Sequence, residues 1–288
     1  MRILRGFDPC PDPDALGWFL RALGEFDEAY RQHPMPYFRA DVRLLQGRLP
    51  EVAAEGEDVR TAAAAFLMGQ TKVLPPDRLG CAFPRDQLLL YAGRLSASGR
   101  LAGMAGLLGD IGWEGDRARY RLMQAETARR LADPAGCFKH LVAAAGWILH
   151  SGSVEHLCLW HLIRARAARG VGDDALAHSA VGEGLHLARR CGLGLYHIEL
   201  LCEEAELSLA DGDAAAAERT ARDAQERASA EDCQFLWGAA EAGHLLGHAL
   251  AVRGDACGAR SALENALDLR RRLGDPKAGQ TERLLRQL

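Results

Sequence analysis

From residue 85 to the C-terminus, apolar residues recur every three or four positions in runs of about 15–20, the spacing that lays one stripe along an α-helix. Short breaks part the runs. Three of them carry the same pair, Gly172-Asp173, Gly212-Asp213 and Gly254-Asp255, and a fourth reads Asp133-Pro134. Glycine takes the left-handed turn that closes one helix, and aspartate caps the bare amides of the next, so the pattern predicts helical hairpins. Upstream the pattern is less regular. After the proline-rich lead-in FDPCPDPD (residues 7–14), a helix is expected over about 14–26, broken at His33-Pro34-Met35-Pro36. A second is expected from Tyr37 to Gly47, with Phe38, Val42 and Leu45 on one face, and a third from Arg60 to Gln70. Residues 71–84 carry three prolines and a glycine. This places a boundary there, between an irregular helical N-terminal region (1–84) and a repeat array (85–288).

The array shows internal self-similarity. Ala125, Ala165, Ala205 and Gly247 sit mid-way along the first helix of successive pairs, at spacings of 40, 40 and 42. Twelve residues after each comes another small residue, Cys137, Ala177, Ala217 or Ala259, and seven further on lie Ala144, Gly184, Ala224 and Ala266. Between these, Leu141, Val181, Ala221 and Leu263 fill an apolar slot. Two helices joined by a tight turn cross at about 8–10 Å, so their crossing point needs small side chains. One pair cannot bury its own apolar face, so the pairs must stack. The expected fold is therefore all-α, an α-solenoid.

This small–small–apolar–small series resembles the tetratricopeptide repeat family. The resemblance covers four repeats (115–151, 153–191, 193–230 and 234–273), a weaker one over 85–113 centred on Ala92 and Met104, and a cap over 275–288. The period departs from the family's 34 residues, being about 40, and the family's early aromatic is replaced by Arg121, His161, Leu201 and Gly243. The segments CGLGLYHIELLCEEAELSLADGD and ALDLRRRLGDPKAGQTERLL resemble the long-period C-terminal sensor arrays of bacterial STAND-class NTPases. The resemblance implies a right-handed superhelix that binds a partner protein or peptide along its concave side. No GxxxxGK[ST] nucleotide-binding loop occurs in the sequence.

Composition narrows the function classes. A net charge of −4 and a pI of about 6.2 argue against nucleic acid as the main partner. The eight cysteines include no CxxC pair, so neither a zinc knuckle nor a redox motif is signalled. No apolar run reaches the roughly 18 residues of a membrane span, and Met1-Arg2-Ile3-Leu4-Arg5 does not open a signal peptide. A cytoplasmic protein without membrane contact is expected.

Catalytic motifs are missing: the sequence holds no HExxH, GxSxG or GxGxxG. The expectation is a non-enzyme without cofactor. Cys158 and His161, three apart, have no third group to orient them. Glu241, His244 and His248 share one helix face and form a weak metal-ligand candidate, to which Cys202 or Glu206 of the neighbouring repeat would add.

On the first helices, the positions three before, one after and four after the central small residue should line the concave side. These are Leu122, Glu126 and Arg129; Leu162, Arg166 and Arg169; Cys202, Glu206 and Leu209; and His244, His248 and Ala251. One turn earlier lie Arg119, Leu159, Glu199 and Glu241. The candidate partner-binding groove is thus basic in its first half and acidic with two histidines in its second. That division suits an extended peptide or an anionic group held by arginines. A small-molecule-sensing array is the alternative, and a metal-dependent enzyme on a helical scaffold the third reading.

Overall fold

The computed structural model describes residues 24–32, 36–54, 59–70 and 114–288. The expected repeat over 85–113, the irregular stretch 71–84 and most of the expected helix over 14–26 lie outside the described residues. All regular structure among the described residues is helical. None of the described helices is long and apolar enough to cross a membrane.

Four hairpins follow one another in the C-terminal part. They are α5 (Glu114–Arg130) with α6 (Pro134–Ser151), α7 (Val154–Gly170) with α8 (Asp174–Cys191), α9 (Gly194–Ala210) with α10 (Ala214–Ser229), and α11 (Leu236–Val252) with α12 (Ala256–Leu273). The short helix α13 (Ala278–Leu285) follows them. Each first helix also packs against the first helix of the next hairpin, which aligns α5, α7, α9 and α11 side by side. Every small residue and every apolar-slot residue of the repeat is buried. The reason is explicit at Gly247, where a Cβ would come within 2.5 Å of Leu263 and 3.2 Å of the Ala259 carbonyl.

The turns within the hairpins are built as the Gly-Asp pairs require. Gly172, Gly212 and Gly254 have φ of 76°, 82° and 85°. Asp173, Asp213 and Asp255 each accept a hydrogen bond from the backbone amide three residues on, and Asp133 does the same for Gly136.

The N-terminal part holds α1 (Phe26–Gln32), α2 (Pro36–Gln46), α3 (Leu49–Ala54) and α4 (Val59–Leu67). Phe38, Val42 and Leu45 are fully buried. Arg60 of α4 binds Asp41 of α2 through two nitrogens, at 2.9 and 3.0 Å, and so joins two helices that lack the length to hold together alone. These helices form a second row seated on the array. Its left-handed glycines Gly24, Gly47 and Gly69 fall 23 and 22 residues apart (47 − 24 and 69 − 47). They meet, in turn, Cys191 and Val154, then Leu195 and Cys233, then Leu236 and Leu273.

Candidate functional site

The aligned first helices form the floor of a groove of about 840 Å3, and the segment from Asp275 to Gln280 walls its far end. Of the residues expected there, Arg129, Arg166, Arg169, Glu199, Cys202, Glu206, Leu209, Glu241, His244 and His248 line it. Other expected positions do not. Leu122 and Leu162 are fully buried in the core, whereas Cys202 and His244, at the same repeat position, reach the groove. Arg119 is also buried, paired with Glu155 of α7 and donating from Nε to His156 Nε2 at 3.1 Å. Glu126 lies beneath Arg129 and Arg130, which hold its carboxylate at 2.7–2.8 Å.

The expected division into a basic and an acidic half is replaced by pairing across helices. Arg166 of α7 reaches Glu199 at 3.0 Å and Glu203 at 2.7 Å on α9. Arg169 reaches Glu203 at 3.3 Å and Glu206 at 2.7 Å. Adjacent first helices lie within reach of a long arginine, so each cation is answered by the next helix and is not left to grip an anion. Burial pushes the Glu203 carboxyl up, but Arg166 and Arg169 outweigh it and hold it below the ordinary value. Glu206 goes the other way. Burial and the neighbouring Glu203 raise it, despite Arg169.

At the far end Glu241 is held by Arg270 Nη2 at 2.6 Å and Lys277 Nζ at 3.0 Å. Burial works against its charge, yet Lys277 and Arg270 carry its carboxyl well below the usual range. Arg270 has 0% relative exposure. It also donates to Thr281 Oγ1 at 2.6 Å and to the Lys277 carbonyl at 3.2 Å, tying α13 to α12. The Thr281 hydroxyl also lies within hydrogen-bond distance of His244 Nδ1, at 3.3 Å. Burial first, then Arg270, pushes the His244 pKa down to about 4, and burial lowers that of His248.

The metal-ligand candidate is not assembled. Both oxygens of Glu241 are engaged by cations, and among the described residues no group of three or more His, Cys, Asp or Glu side chains could hold a metal ion. Cys158 and His161 form no nucleophilic pair either: the Cys158 thiol lies 3.8 Å from the Gly184 carbonyl, and burial drives its pKa up, opposite to activation.

Glu203, Arg270 and Trp237 were not among the residues expected in the groove. Glu203 stands where the other repeats have Met123, Ile163 and Leu245, so a carboxylate in an apolar column was the available signal. Arg270 stands in register with Leu263, Ala266, Leu267 and Leu273, the buried face of α12. Trp237 of α11 lines the groove on one side. Its ring stacks on Phe66 of α4 on the other, with centroids 5.7 Å apart and planes 8° from parallel, and its indole N–H donates to the Phe66 carbonyl at 3.2 Å.

No family model matches the sequence, and no curated protein matches it. Among solved structures the chain is similar to a Signal Transduction ATPase with Numerous Domains (STAND) protein with a tetratricopeptide repeat sensor from Pyrococcus horikoshii. The two share 11% sequence identity at a TM-score of 0.54, over 86% of this chain and 41% of that one. This chain thus corresponds to about two fifths of that protein's length. At this identity the likeness is one of fold: a tetratricopeptide-like all-α array, as the repeated small residues require.

Proposed function

We propose that the protein is an interaction or sensor scaffold whose concave groove takes an extended segment of a partner protein. The observation that carries this reading is a mixed-charge groove lined by residues of α5, α7, α9 and α11. Four helices at about 8–10 Å spacing give roughly 25–30 Å of floor, enough for about eight residues of extended chain at about 3.3 Å each. With its charges already paired, the floor offers a partner its hydrogen-bonding edges and apolar surface more than net charge. The fold likeness to a sensor array is consistent with this role and says nothing of the ligand.

A random octapeptide display selection on the whole protein tests the reading. Leu209→Arg blocks the groove floor, and Val142→Arg on α6, where Val142 is 75% exposed, serves as the control. Selected peptides should lose about tenfold or more in affinity for the first variant, on the scale of one lost anchor, and none for the second. Failure to select any peptide, or equal binding to both variants, overturns the proposal.

A second reading, a small-molecule sensor, is favoured by one observation. The groove is walled at its far end, and its volume lies within the range of small-ligand sites. Full affinity in a fragment of one to three residues would select that reading.

A further inference from the structure

We infer that the N-terminal row is a lever on the far end of the groove: the seat of α4 and the position of Trp237 form one coupled arrangement, so a partner lying against Trp237 and the docking of the row bias each other. The inference takes the groove as the partner's site, as proposed above.

The interfaces differ in kind. Hairpin packs on hairpin along helices of 16–18 residues. The row is seated through α2 packed on α9, through Phe66 on Trp237 and through close approaches at its turns. A Cβ at Gly194 would lie 2.2 Å from the Gln46 carbonyl, and one at Gly24 2.5 Å from the Cys191 sulfur. The row's helices have only 6–11 residues, and short segments of this kind open at a lower free energy than long packed hairpins.

At the far end the turn that follows α4 touches both α11 and α12. Gly69 lies against Leu236, the first residue of α11, and Leu273, the last residue of α12. Asp275, Pro276 and Lys277 of the groove wall follow Leu273 directly. Trp237 spans the junction, one side toward the groove and the other on Phe66. Moving α4 removes the stack and the indole hydrogen bond, and leaves the ring free to turn into the groove. Because the coupling is a property of the equilibrium, it runs in both directions.

Hydrogen exchange of the whole chain, with no peptide present, tests this. Phe66→Leu removes the stack while keeping an apolar side chain, and Phe66→Ala removes the volume as well. Phe66 does not line the groove. Exchange should rise by about tenfold or more in residues 59–67 and also in 236–245 and 278–285, while α7 and α8 keep their wild-type protection. Faster exchange confined to 59–67 overturns the coupling. So does a uniform rise that includes α7 and α8, which would mean that Phe66 only supports global stability. Because no peptide is involved, failure of the groove to bind one would appear in the display selection and not here.

Discussion

Between α7 and α9 the groove's charges answer one another sideways, and at α11 they are answered from behind. In the first region Glu203 lies between Arg166 and Arg169, and each arginine also holds a second carboxylate. In the second, one fully buried arginine carries the far side of Glu241, the first contact of α13 and, through Thr281, the orientation of His244. The first design is redundant at Glu203, which keeps one arginine when the other is lost. The second has a single keystone. Redundancy is available wherever two ordinary hairpins lie side by side. Beside α11, by contrast, the wall comes from Asp275 to Gln280, the lead into the eight-residue α13.

The sharpest way to break this comparison is to remove one arginine from each region. Arg270→Met leaves Glu241 with Lys277 and removes the donors to Glu241, Thr281 and the Lys277 carbonyl together, and it should cost about 2–4 kcal/mol, the loss expected when one buried charged group gives up several hydrogen bonds. Arg166→Met leaves Glu203 bound to Arg169 and should cost about 1–2 kcal/mol. Chemical denaturation of the two variants, with hydrogen exchange at 278–285 to localise the first, measures both. Equal losses would mean that the far end has a second support and that Arg270 is no keystone.

Acid should separate the two regions next. A neutral His244 with its pKa near 4 takes up a proton less readily than the same residue in the unfolded chain, near 6.5. The unfolded state therefore binds more protons between these values, and stability falls as the pH drops from about 6.5 towards 4. Glu241, held well below the ordinary carboxylate value by Lys277 and Arg270, stays charged across that window, and Arg166 and Arg169 hold Glu203 below that value as well. His197, also pushed to about 4 by burial and by Arg227 and Arg189, adds a further loss outside the groove. His244→Gln should thus lose about 1–3 kcal/mol less than wild type between pH 7 and pH 4.5. Thermal unfolding at the two pH values reads the difference. An identical drop in both proteins would show that His244 is not the group that titrates.

Legibility in the sequence followed the same division. The array was readable because its crossing points repeat: one geometric demand recurs at Ala125, Ala165, Ala205 and Gly247, and each time it admits only a small side chain. The N-terminal row was partly readable. Its helices of 6–11 residues hold two or three turns, too few for a period to stand out, and α3 went unexpected for that reason. Residues of the floor could be placed on their helices from the repeat register. Their pairing could not, because Arg166 and Glu203 are 37 positions apart and only the stacking of hairpins brings them together. Arg270 was hidden by its neighbours. Within Arg270-Arg271-Arg272 it reads as one more cation suited to a helix C-terminus, although its spacing from Leu263 and Leu267 puts it on the buried face.

The smallest difference between the two ends lies in the turns inside the hairpins. Three of the four reach the left-handed region with glycine, but the first does so with Ala132, at φ 56°. The need is the same at each turn. The chain must reverse within about three residues so that the following aspartate can cap the next helix, and Asp133 caps Gly136 in the first turn as its counterparts do elsewhere. An L-residue in this conformation crowds its Cβ against the carbonyl and costs about 1 kcal/mol relative to glycine. Glycine in turn loses more freedom on folding, so the net gain is smaller. Ala132→Gly should stabilise the first hairpin by about 0.5–1 kcal/mol, and Gly172→Ala should destabilise the second by at least as much. Both are measurable by denaturant titration. A loss of stability in Ala132→Gly would mean that the alanine methyl makes a contact worth more than the strain it carries, and that the first turn is held by packing where the others are held by glycine.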